Sequence, residues 1–307
     1  MGYLLIFGAV ILNVVKAYAS KKLSGKTEFV SDNLDLSIMR NFFCVLVGAG
    51  FILISGGADF SITPRGALIC LIAGAVMSVN YVAWVMALKT DAIVFASVAN
   101  NANFIVAAVG GMLFFSESLS LSKGIAMVLI LFSMLFMVKY QKGLHGAPTL
   151  YDFFLLFLVF LMGGTTSITE KWFTRAEPDL SSHVYTFYAF LFSILVLCIA
   201  RIFIRAPRTA QKALQLAKLK GYLPYTVIMG ASIYGVTYFK TYANNFLDTV
   251  VLYPLNNGLT MIGSCFMAWA CFKEKPNKNS IIGMVIIFFA LLLSSGVLQK
   301  IINLIFT

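Results

Sequence analysis

Charge is scarce in this sequence. Asp, Glu, Lys and Arg together make up 11% of its 307 residues, against roughly 25% in a soluble globular domain. That shortfall excludes a soluble globular chain, and it equally excludes an intrinsically disordered one, which needs high charge and low hydrophobicity. There are only two histidines and five cysteines, and no pair of cysteines has the CxxC spacing of a metal site. A metal-dependent or disulfide-framed protein is therefore not expected, and no cofactor or metal is. No nucleophile, base and orienting group come together at membrane depth, which argues against an enzyme. The net charge of +11 is not read as a nucleic-acid footprint, because basic residues flanking membrane helices account for it.

What is present is apolar residue: 60% of the chain, with a mean hydropathy of +0.89. It is gathered into ten runs, at about 3–20, 36–55, 66–88, 92–115, 122–139, 150–171, 183–203, 222–243, 249–271 and 280–298. About 20 apolar residues cross a bilayer core as a helix. Backbone polar groups in lipid must pair internally, and the runs are continuous rather than alternating, so each is read as a helix and not a barrel strand. The first run resembles a signal peptide at Ala17-Tyr18-Ala19, but nothing positive precedes it and Lys16 interrupts it, so it is read as the first membrane helix. The expected class is an all-α polytopic membrane protein with ten transmembrane helices.

The chain also repeats itself. An offset of 157 aligns Asp91 with Asp248, Asn100 with Asn257 and Glu117 with Glu274. Charged and amide residues are rare here, so these matches carry more weight than apolar ones. Two five-helix repeats are expected, residues 1–145 and 146–307. An odd helix number turns the second copy over in the membrane, as in many secondary transporters, whose substrate sites lie between the repeats.

The five-plus-five arrangement resembles the drug/metabolite transporter superfamily, specifically its ten-helix EamA-type members. The resemblance extends over the whole chain and rests on Phe115-Ser116-Glu117-Ser118-Leu119-Ser120 and Phe272-Lys273-Glu274-Lys275-Pro276, with the early Arg40 of the second run. Members commonly have Gly-Glu, then Ser or Thr two residues later. Ser116 and Lys273 replace the Gly, and Pro276 interrupts the second copy. The resemblance implies alternating access around a cavity lined by helices 1, 3, 4, 6, 8 and 9, and both termini in the cytoplasm. The positive-inside rule points the other way. Fifteen Lys and Arg lie in connections after odd-numbered runs and six on the opposite side.

Candidate substrate-binding residues are polar and aromatic side chains at helical spacing. They are Asn13 and Lys16 in the first run, Tyr81 and Trp84 in the third, Asn100 and Asn101 in the fourth, and Glu170 in the sixth. Tyr238 and Tyr242 in the eighth and Asn256 and Asn257 in the ninth complete the set. Packing competes with function at each. Asn can bond across helices, Tyr81 and Trp84 can belong to the interfacial belt, and Lys16 can reach a rim. Asp91 and Asp248 are expected to cap the runs they precede, and Glu117 and Glu274 to stabilise the fold. Gly110-Gly111 and Gly163-Gly164 are expected to permit close helix contact.

Every intramembrane charge lies near the end of its run, so the pathway is expected to be neutral at its centre, with charge at its rims. The expected function is a secondary transporter of a small polar organic metabolite, amino-acid-like, zwitterionic or neutral. A flippase of a lipid-linked polar substrate and a non-transporting solute receptor are the alternatives. Membrane lipid and a small-molecule substrate are the expected partners, the chain acts as a monomer or homodimer, and a bacterial cell membrane is the expected location.

Overall fold

The computed structural model describes residues 1–23, 30–54, 60–87, 93–138, 149–204, 216–273, 276 and 278–294. Asp91, Glu274 and His145 lie outside them. Among the described residues there are eleven helices and no strand. They are α1 (Gly2–Leu23), α2 (Val30–Ile54), α3 (Pro64–Ala87), α4 (Ile93–Ala102), α5 (Phe104–Phe115), α6 (Leu121–Val138), α7 (Leu150–Ala176), α8 (Ser182–Phe203), α9 (Leu216–Ala243), α10 (Thr249–Phe272) and α11 (Lys278–Ser294).

Six helical stretches are long and apolar enough to cross a membrane: Gly2–Leu23, Val30–Ile54, Pro64–Ala87, Val98–Phe115, Leu150–Ala176 and Ser182–Phe203. Outward-facing apolar side chains recur at helical spacing, as in Leu4, Phe7, Ile11 and Val15 of α1 and Ile281, Ile282, Val285, Phe288 and Phe289 of α11. Water would penalise such stripes, whereas acyl chains do not. The chain is a helical membrane protein.

The fourth apolar run falls on two helices, broken at Asn103. Several helices also outrun the apolar stretches that announced them, among them α2 and α7. α2 begins at Val30, and its polar first turns are used: Asp35 pairs with Arg201 of α8 at 2.7 Å. α7 continues to Ala176, so Glu170 and Lys171 lie inside it and are buried, not at its end. Its start is fixed by a capping box, in which the Asp152 N–H donates to Thr149 Oγ1 at 3.3 Å and the Thr149 N–H to Asp152 Oδ2 at 2.8 Å.

The most extensive helix contacts have counterparts when residues 1–145 and 146–307 are exchanged. α1 packs on α9 as α7 packs on α3, and α2 packs on α9 as α8 packs on α3. α1 also packs on α10 as α7 packs on α4 and α5, while α2 with α8, α5 with α10 and α6 with α11 map onto themselves. Among the described non-glycine residues only Ser116 (φ 55°) and Lys273 (φ 56°) have positive φ. They are 157 residues apart. Each ends its helix in the left-handed region, its N–H donating to Gly111 O or Ala268 O. Glycine adopts that conformation at least cost, which accounts for the Gly in the pattern that these stretches resemble.

Candidate functional site

Asn103 joins α4 to α5 with right-handed helical φ and ψ, and its O accepts from the Ala107 N–H at 3.2 Å. Asn257 braces this junction from α10. Its Nδ2 donates to Asn101 O at 2.9 Å and to Asn103 Oδ1 at 3.2 Å. Asn256 Nδ2 in turn donates to Asn257 Oδ1 at 3.1 Å, and Asn13 Nδ2 to Asn256 Oδ1 at 3.4 Å. A chain of amides thus joins α1, α10 and the α4–α5 break. Gly163 and Gly164 bring α7 onto the break from the other side. A Cβ at Gly164 would stand 2.6 Å from Asn103 O, and one at Gly163 would stand 2.8 Å from Asn80 Nδ2. The Gly pair does permit the close contact expected of it.

Beside this junction lies a cavity of about 650 Å³, within the usual size of a small-ligand site. Its wall runs from Leu23 and Asn33, at the adjoining ends of α1 and α2, inward to Asn103, Gly163, Glu170 and Lys240. Of the candidate residues, Lys16, Tyr81, Trp84, Asn100 and Glu170 line it. Asn13, Asn256 and Asn257 do not, because their amides are committed to joining helices, and neither does Asn101, whose backbone carbonyl accepts from Asn257. Nor do Tyr238 and Tyr242. Their rings stack instead, with His183 3.9 Å from Tyr238 and Tyr242 6.0 Å on its other side. Phe51 of α2 stacks on His183 at 5.5 Å, and the His183 ring is hydrogen-bonded to the Tyr234 hydroxyl. The stripe of α9 that does face the cavity is Thr226, Met229, Ile233, Thr237 and Lys240, on nearly the opposite face of the helix. α10 contributes nothing to the wall, while α2 and α8 do, contrary to the lining that the resemblance implied.

The neutral centre expected from the apolar runs is also not what the cavity presents. Arg40 is the eleventh of 25 residues in α2, and Lys16 stands seven residues before the end of α1, or about 10 Å at 1.5 Å per residue. Both face the cavity, with Lys240 and Glu170. The run boundaries misled because the polar ends of the helices face inward, so hydropathy truncates them. Lys240 Nζ donates to Glu170 Oε1 at 2.8 Å, and Tyr253 OH donates to Glu170 Oε2 at 2.8 Å. Arg40 lies over the Tyr81 ring, 4.5 Å from its centroid. Its Nε and Nη2 donate to Asn41 Oδ1 at 3.3 and 3.2 Å, and Asn41 Nδ2 donates to Ser193 Oγ at 3.0 Å. Arg40 and Lys240 are the charged site residues that the polar stripes did not single out, and Asn33, Asn41, Thr226 and Thr237 are uncharged ones. Thr226, Thr237 and Lys240 share one helical face, a signal present in the sequence.

Away from that wall, a second cluster ties the helices together. Glu117 accepts from the Thr249 hydroxyl and from the Val250 N–H, and Lys171 Nζ lies 3.4 Å from Glu117 Oε1. Lys171 also donates to Asn244 O and Leu247 O at 2.9 and 3.0 Å. Asp248 occupies the N-cap position of α10, but its carboxylate makes no capping bond; it pairs with Lys123 at 3.7 Å. The cap expected of Asp248 is supplied by Glu117, whose buried carboxylate reaches the α10 terminus from α5.

No family model matches the chain, and no curated protein matches it. Among solved structures, one described only as "Crystal structure of protein" is similar in fold, with a TM-score of 0.79 over 98% of this chain and 98% of that one, at 13% sequence identity.

Proposed function

We propose that this protein is a secondary transporter of a small polar organic solute, working by alternating access in a bacterial cell membrane as a member of the drug/metabolite transporter superfamily. The observation that carries the reading is a cavity between the helices whose wall carries Lys16, Arg40, Glu170 and Lys240, together with amide and hydroxyl side chains, and runs from Leu23 of α1 and Asn33 of α2 to Glu170 and Lys240. The Glu117–Lys171 cluster and the Phe51–His183–Tyr238 stack lie outside that wall, near the opposite ends of the helices. Interchangeable helix partners in the two halves support two conformations of similar energy, open to opposite sides, as two inverted five-helix repeats require.

Two measurements test it. Purified protein in liposomes should take up at least one solute from a broad panel of metabolites. A cysteine placed at Ser20, on the cavity wall, should react with a membrane-impermeant thiol reagent and be protected by that solute. Protection without uptake would make the protein a receptor, and neither would sink the reading.

A further inference from the structure

The cavity carries more positive charge than its own residues neutralise. Lys240 and Glu170 cancel one another at 2.8 Å. Lys16 and Arg40 remain, and among the described residues neither has a carboxylate within ion-pair distance. Lys16 is instead within electrostatic reach of two like charges, Lys240 and Arg40. Uncompensated cations inside a membrane span are costly and are retained where function needs them.

Arg40 is also held ready. Two of the five guanidinium N–H donors are engaged by Asn41 Oδ1, and the plane rests on Tyr81. The remaining donors, on Nη1 and Nη2, are enough for the bidentate grip that guanidinium makes on an oxyanion. Lys16 adds a compact charge with three donors on the neighbouring wall. Met77, Trp84 and Phe190 supply an apolar surface for a carbon skeleton.

We infer that the cavity takes an organic dianion, a phosphomonoester or a dicarboxylate, whose two charges are matched by Lys16 and Arg40. The inference rests on the cavity being the solute site proposed above. It replaces the neutral or zwitterionic solute that the amide lining alone suggests. A phosphomonoester carries about −1.5 to −2 at neutral pH, close to the two unmatched positive charges, whereas a zwitterion leaves both uncompensated. The same chemistry is offered by a soluble phosphate ester and by a phosphate lipid head group.

Binding is measured by calorimetry on the full chain in phosphatidylcholine nanodiscs, using matched probes: glycerol 3-phosphate against glycerol, and succinate against succinamide. The charged member of at least one pair should bind at least about tenfold more tightly. Lys16→Gln and Arg40→Gln should each lose about tenfold or more, while Lys16→Arg retains affinity. If either Gln variant fails to fold, the wild-type ratio within each pair still decides. Including phosphatidic acid in the nanodiscs separates the two sources. Competition with the soluble dianion, or selective binding of the lipid alone, assigns the head group and keeps the inference. Equal binding of charged and neutral probes with no selective binding of phosphatidic acid, or Gln variants that bind normally, overturns it. Dianion binding without uptake into liposomes would defeat transport and leave this inference standing. Uptake of neutral or zwitterionic solutes with no preference for dianions would do the reverse.

Discussion

The Glu117 carboxylate, at the end of α5, accepts the Val250 N–H at 3.3 Å and so closes the first turn of α10 from another helix. It also faces Lys171 of α7, whose ammonium is buried. Three elements thus meet on one carboxylate. Glu117→Ala leaves a buried lysine without its counter-charge, which costs roughly 3–5 kcal/mol. A melting temperature well below wild type is expected in detergent. Glu117→Gln with Lys171→Met should recover part of the loss, since no charge is then stranded. An unchanged melting temperature in Glu117→Ala would contradict the role given to the pair.

Glu170 and Lys240 differ from that cluster in facing the cavity. Glu170→Gln strips the counter-charge from Lys240 and raises the cavity's positive charge. Folded yield should fall, and the double variant with Lys240→Met should restore it. A single variant as stable as wild type would show that Lys240 finds water instead.

Gly164→Ala tests the packing of α7 on the helix break. The added methyl would lie 2.6 Å from Asn103 O, so α5 and α7 must separate. Overpacking of this kind costs about 1–3 kcal/mol. Thermal unfolding should detect it, and Gly221→Ala, which meets nothing within 4 Å, is the control.

Asn100 and Asn257 align in the sequence but should respond differently. Asn100→Ala removes a cavity-wall amide and should weaken solute binding at unchanged thermal stability. Asn257→Ala leaves Asn101 O with one donor fewer and should cost about 1–3 kcal/mol of stability. The reverse pattern, read by calorimetry and melting together, would exchange the two roles.

Much of the architecture was legible because apolar runs and membrane thickness share a length scale. The repeat was legible at Glu117 and Asn100 because polar matches are rare in so apolar a chain. What hydropathy hid was the inner polar end of each helix. Asn33 and Asp35 of α2 and Trp172 to Thr174 of α7 fall outside the apolar runs, yet they are helical, and Asp35 and Thr174 are bonded. The site divided for a related reason. A stripe of tyrosines and a stripe containing Thr226, Thr237 and Lys240 run along the same helix, and period alone cannot say which meets solvent. His183 decides it by stacking on Tyr238, a contact between helices that the sequence does not place. Asn257 was drawn away from the cavity by a break at Asn103 that no proline or glycine announces.

Lys16 and Arg40 have an electrical consequence. An empty carrier that carried both charges from one face of the membrane to the other would work against the membrane potential, at about 2.3 kcal/mol per charge per 100 mV of field crossed. A carrier loaded with a dianion moves almost no net charge. Exchange of one dianion for another should therefore be nearly indifferent to voltage, whereas net uptake should depend on it through the empty return. Liposomes clamped with a potassium gradient and valinomycin would distinguish the two modes, and equal voltage dependence in both would mean that these charges do not move through the field. If the protein transports as proposed and voltage acts on net uptake alone, the two side chains that the empty cavity leaves unmatched set its preferred mode as exchange.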